Sequence, residues 1–135
     1  MRSISLIAAA LCLAAAPALA QDNLTAPPPA PFAKVSELVP LPDFLPGLGT
    51  LYVDPASLPA GPFLGYDHDG KLAATIYMIP LADLNPDKSF SDLGLGAETV
   101  VSVDVYYNAG HAGVEAPHEH IVLWHDAGAK ARVAK

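Results

Sequence analysis

The sequence predicts an all-β or mostly β domain, a small antiparallel barrel or sandwich with long Pro-rich loops. Three observations predict it. Five short segments rich in β-branched and aromatic residues are separated by turn residues. One of them, residues 99–108, alternates apolar and polar positions with the period of two that a strand gives. Ten of the fourteen prolines fall within residues 27–62, where fixed φ angles and missing N–H groups rule out long helices.

Residues 1–20 read as a signal peptide. Arg2 gives a positive start, residues 4–16 an apolar run, and Ala18-Leu19-Ala20 a small-x-small cleavage pattern before Gln21. The run is too short for a stable membrane span. Cys12 follows Leu11, where a lipoprotein signal carries a small residue, so no membrane anchor is expected. The expected address is periplasmic or secreted. The remaining 115 residues suit one domain and contain no cysteine. Disulfides are thereby excluded, and stability must come from apolar burial, a bound metal or oligomerisation. Loss of Arg2 takes the formal charge from −7 to −8. That balance argues against nucleic acid and anionic lipid as partners. Lys130, Arg132 and Lys135 read as a solvated tail.

Residues 21–31, with "TAPPPAP", read as an extended, mobile Pro-rich linker, and residues 32–135 as a single β-rich domain. "FAKVSELV" (32–39) suits one or two helical turns before Pro40 stops them. Strands are predicted at 49–53, 62–66 and 71–79. The last two are joined by "DHDG" (67–70), the best hairpin turn in the chain. Residues 80–98 read as a connection, with a helical turn capped by Asn85 and opened by Pro86. Strand 99–108 directs Val101, Val103, Val105 and Tyr107 to one face and Ser102, Asp104, Tyr106 and Asn108 to the other, as a half-buried strand does. A last strand spans 119–124, antiparallel to it across "AGHAGVEAP".

Four of the five histidines lie in "GHAGVEAPHEHIVLWHD" (110–126). Strand geometry points His118 and His120 to one face, where two imidazoles can converge on one ion. His111 can fold back as a third metal ligand. His125, five residues past His120, alternates away and joins only through a bulge. Asp104 on the neighbouring strand is a candidate ligand or a partner that orients an imidazole. Glu115 and Glu119 offer further carboxylates, and His68 sits exposed in the hairpin turn. Imidazole and carboxylate ligands suit Zn or Cu better than Mg or Ca. The plain alternative is that the histidines tie down a loop through backbone carbonyls. No nucleophile elbow, phosphate loop or C-x-x-C is present, so binding is favoured over catalysis.

The same stretch resembles motif one of the cupin family of metal-binding β-barrels. Gly113 precedes His118-Glu119-His120, and His125 stands where a cupin carries glutamate. That resemblance would imply a metalloenzyme. More broadly, "YVDPASLPAGPFLGYDHDGKLAATIYMIPLADL" (52–84) with "VVSVDVYYNAGHAGVEAPHEHIVLW" (100–124) resembles a bacterial family of exported domains of unknown function that includes a member of an envelope-stress sigma-factor regulon. This resemblance implies a compact β-rich domain able to form a homo-oligomer, with Gly110-His111 and Pro117-His118 at family-like positions. Three functions follow as expectations: a metal-binding exported domain in envelope homeostasis, a metal-free oligomeric or small-ligand-binding module, and a cupin-like metalloenzyme.

Overall fold

The computed structural model describes residues 22–135. The signal peptide assigned to residues 1–20 lies outside the described residues. The domain is mostly β, as expected. Its elements are β1 (Ala33–Lys34), α1 (Val35–Leu38), β2 (Thr50–Val53), β3 (Phe63–Tyr66), β4 (Leu72–Pro80), β5 (Ser102–Asn108), β6 (His118–Trp124) and α2 (Ala129–Arg132). One antiparallel sheet holds all six strands in the order β1-β2-β3-β4-β6-β5. Among the described residues the hydrogen-bonded order does not close, so a single open sheet stands in place of a barrel or a two-sheet sandwich. Loops rather than a second sheet cover its faces.

Each predicted strand forms within a few residues of its expected bounds. The β3–β4 hairpin turns where the sequence places it. Asp67 Oδ1 accepts from the N–H groups of Asp69 and Lys71 at 3.0 and 2.9 Å, and Gly70 takes a φ of 76°. A short carboxylate that mimics a backbone acceptor and a glycine that admits positive φ together fix the turn.

β4 is buried along both faces because different loops cover them. On one face Ala74, Ile76 and Met78 join Leu51, Val53, Val122 and Trp124 in the main core, with Val39, Leu41, Leu45 and Leu48 packed over it. Full burial of each Leu, Ile, Val or Met of that core is worth about 1.5–3 kcal/mol. On the other face, the 84–99 connection is tied down by polar contacts. The Tyr77 hydroxyl donates to the Gly94 carbonyl, and the Gly96 N–H donates to Thr75 Oγ1.

Several local expectations are corrected. Residues 22–31 are docked rather than free. Ala26 N–H donates to the Gly70 carbonyl, Leu72 N–H to the Leu24 carbonyl, and the Tyr66 hydroxyl to the Asn23 carbonyl. An extended proline-rich segment keeps its unused backbone groups available, and the open end of β4 takes them up. Of the predicted helical segment 32–39 only the four residues of α1 are helical, since Ala33 and Lys34 pair with Val53 and Tyr52. After the 3₁₀ turn at Leu81–Asp83, Asn85 opens a turn as expected, its carbonyl accepting from Lys88 N–H and its Oδ1 from Asp87 N–H, but this turn does not become helical. The C-terminal tail is packed: Val133 is fully buried, and Arg132 clamps Asp126 with two nitrogens at 2.7 and 2.8 Å while its Nε donates to Asp67. Hydrogen bonds from that guanidinium hold the Asp126 carboxyl well below the usual carboxylate range.

β5 directs the two predicted sets of side chains to opposite faces, but neither face is buried. Val101, Val103, Val105 and Tyr107 are 51, 51, 62 and 59 % exposed. The face carrying Asp104, Tyr106 and Asn108 lies on the histidine side of β6, with Asp104 and Asn108 half-buried and Tyr106 42 % exposed.

Candidate metal centre

Alternation along β6 buries His118, His120, Val122 and Trp124 and leaves Glu119, Ile121 and Leu123 half-buried on the opposite face. The two histidines therefore share one side of the sheet, beyond the end of the main core. They are 0 and 3 % exposed, far below what solvated surface histidines show. β6 lies between β4 and β5, so Met78 and Tyr106 flank His120 while Pro80 and Asn108 flank His118.

His111 arrives from the β5–β6 connection by a tight turn. His111 and Val114 exchange backbone hydrogen bonds at 3.0 Å in both directions. Gly113, inside the turn, takes a φ of 86°, and a Cβ there would lie 2.8 Å from Val39 Cγ1. Glycine supplies both the left-handed backbone and the clearance. The imidazole of His111 then meets those of His118 and His120 edge to face, with centroids 4.9 and 5.8 Å apart. One ring nitrogen from each of the three lies within 4.8 Å of the others.

Hydrogen bonds decide which nitrogens are available. His118 Nδ1 lies 2.7 Å from the Ala116 carbonyl, and His111 Nδ1 lies 3.0 Å from the Ala112 carbonyl. A carbonyl can only accept, so both Nδ1 atoms carry the hydrogen, and in the neutral form of each ring Nε2 presents the lone pair. His118 Nε2 and His120 Nε2 are 2.9 Å apart. Without an ion, His120 must donate from Nε2 to His118, and its Nδ1 then accepts from the Tyr106 hydroxyl 3.1 Å away. Burial first, then the neighbouring His118 and His111, pushes the His120 pKa down to about 4, so this ring is neutral near pH 7. Burial, and secondarily the Asp104 charge, pushes the Tyr106 phenol up, so it keeps its proton.

The arrangement fits a metal ion. A tetrahedral ion with Zn–N bonds of 2.0–2.1 Å sets ligand nitrogens about 3.3 Å apart. The His118–His120 pair needs to open by only tenths of an ångström, and a transfer of one hydrogen from Nε2 to Nδ1 of His120 would let Tyr106 accept in turn. Ligating histidines commonly donate their second N–H to a backbone carbonyl, the pattern found at His111 and His118.

The other predicted residues lie elsewhere. His125 is buried, its Nδ1 donating to the Thr99 carbonyl at 2.6 Å and its Nε2 paired with Thr75 Oγ1 at 2.8 Å. Both nitrogens are committed to fastening the connection between β4 and β5. Asp104 accepts from Trp124 Nε1 at 2.8 Å and from Lys130 rather than from an imidazole. The orienting role considered for Asp104 falls to Tyr106, two residues along the same face. Its signal in the sequence was that shared face, opposite His120 once the strands are paired. Glu119 faces the other side, Glu115 is exposed, and His68 is exposed and stacked on Phe44.

A cleft of about 330 Å³ opens beside the cluster. Its walls are aliphatic side chains from residues 35–58 together with Phe63 and Met78, and one end is formed by Tyr106, Asn108, His111 and His120. His118 lies behind them, fully buried. Among the described residues no helix is long and apolar enough to cross a membrane.

No family model matches the sequence, and no curated protein matches it. Among solved structures, the crystal structure of hypothetical protein TTHB210 from Thermus thermophilus is similar, with 40% sequence identity and a TM-score of 0.60. The match covers 70% of this chain and 88% of that one.

Proposed function

The chain belongs to the family of the Thermus thermophilus hypothetical protein TTHB210, and on that footing we propose that it is an exported domain that binds one divalent transition metal, Zn or Cu, through Nε2 of His111, His118 and His120. The observation that carries this is the pair of Nδ1–H to carbonyl bonds at half-buried His111 and buried His118, which leaves an Nε2 lone pair on each ring of one three-histidine cluster. Unprotonated imidazoles suit Zn and Cu better than Mg or Ca. The role is one of binding, in envelope homeostasis or stress response, consistent with the signal-like N-terminus.

The test is elemental mass spectrometry on untagged mature protein beside the His118→Ala/His120→Ala double variant. About one zinc or copper per chain in the wild type, lost in the variant, is the expected result. No bound metal, with no thermal stabilisation on adding zinc or copper, sinks the proposal.

A second reading, self-association, draws support from the apolar stripe of β5. Four large apolar residues more than half exposed on, or immediately before, an edge strand are unusual for a monomer. A homo-oligomer that covers Val101, Val103, Val105 and Tyr107 would account for them, whether or not metal binds.

A further inference from the structure

The metal reading leaves the cleft unexplained. A volume of about 330 Å³ lies within the range of small-molecule sites, which are concave, mostly apolar and supplied with a few convergent polar groups. Here the polarity is segregated. Val39, Leu41, Leu45, Leu48, Leu51 and Met78 contribute aliphatic surface, while the polar groups gather at one end. A site for a sugar or nucleotide would distribute donors and acceptors along its length. A purely structural void would be filled by the leucines that line it, since interiors pack to near-crystal density.

The polar end is also the open side of the histidine cluster. His111 and His120 border the cleft, whereas His118 stands behind them. Three imidazoles leave a tetrahedral ion one position for an exogenous ligand. The ion would be the largest local charge, so an anionic oxygen donor is favoured there even in an acidic protein. The two regions are mechanically joined, because Gly113 in the His111 turn packs against Val39 in the cleft wall.

We propose that this cleft binds a small amphiphile with an aliphatic body and a single carboxylate head, the body lying along Val39, Leu41, Leu45 and Leu48 and the head meeting the metal at the His111–His120 end. The inference rests on the metal reading for its headgroup and on the cleft alone for its body.

Octanoate is the probe, competing with anilinonaphthalene sulfonate fluorescence on zinc-loaded and zinc-free mature protein, with zinc content measured in parallel. Octanoate should displace the dye from zinc-loaded protein about tenfold more tightly than from zinc-free protein. Octanol, with the same chain and no charge, should show no such preference. Leu41→Trp, which fills the cleft, should abolish octanoate binding and keep its zinc. Leu58→Trp, at the exposed rim, gives the same reading if Leu41→Trp fails to fold. Failure of octanoate to bind a protein that holds its zinc overturns this inference and spares the metal reading. Equal octanoate affinity with and without zinc overturns the headgroup assignment. A protein that retains no zinc overturns the metal reading, and the headgroup assignment with it.

Discussion

Tyr106 Oη lies 3.1 Å from Nδ1 of His120, across the antiparallel pairing of β5 with β6. The two residues are directly opposite each other, and the phenol fixes the His120 ring from behind. It can donate to a bare Nδ1 or accept from a protonated one, so it serves His120 in both tautomers.

Removing that hydroxyl should therefore weaken metal binding without unfolding the domain. Tyr106→Phe is expected to lower zinc affinity about tenfold, at the lower end of the effect of deleting a group that orients a ligand. Competition against a chromogenic chelator measures it. An unchanged affinity would remove Tyr106 from the site.

Metal-free protein should lose stability as pH falls from neutrality. His120 titrates at about 4 in the folded chain and near its ordinary 6.5 when unfolded. Between those values the unfolded state takes up the proton and the folded state does not, so acidification favours unfolding. The stability is fully present above the unfolded pKa and is lost as pH falls toward the folded one. Urea midpoints between about pH 7 and about pH 4.5 should fall for wild type and stay flatter for His120→Gln.

His125 should matter for stability and not for metal. It completes a chain from the Thr99 carbonyl through its own ring to Thr75 Oγ1 and the Gly96 N–H. His125→Ala strands buried partners, at a cost of about 1–3 kcal/mol, while zinc stoichiometry holds. Thermal denaturation with parallel metal analysis separates the two. Loss of zinc without loss of stability would contradict this assignment.

The exposed stripe of β5 predicts association. Val103→Lys with Val105→Lys should shift the mature protein to a smaller species in light scattering and leave zinc binding intact, since both side chains face away from the histidines. A wild type that is monomeric at high concentration would remove the self-association reading.

Strand positions were legible from β-branched runs and turn residues, and the i, i+2 rule placed His118 and His120 together. What the sequence hid was which side of β5 would be covered. Val101, Val103, Val105 and Tyr107 look like the inward face to any rule based on hydrophobicity. The partly covered face is instead set by β6, whose His120 bonds Tyr106 and whose Trp124 donates to the Asp104 carboxylate. His111 and the cleft were harder still. Both depend on contacts distant in the chain, Gly113 against Val39 and the 35–48 segment folded over the sheet. The open sheet, and the docking of residues 22–31 and of Arg132, depend on such long-range contacts as well.

Register along β6 carries a last consequence. Its even-numbered residues form part of the histidine cluster and of the main core, and its odd-numbered residues form part of the opposite surface. Deleting one residue from the preceding connection and letting the strand slide by one would exchange these sets, turning both imidazoles outward and Ile121 and Leu123 toward the core. Length changes of two in that connection preserve the phase, so the tolerance of this segment to insertion should follow parity rather than size.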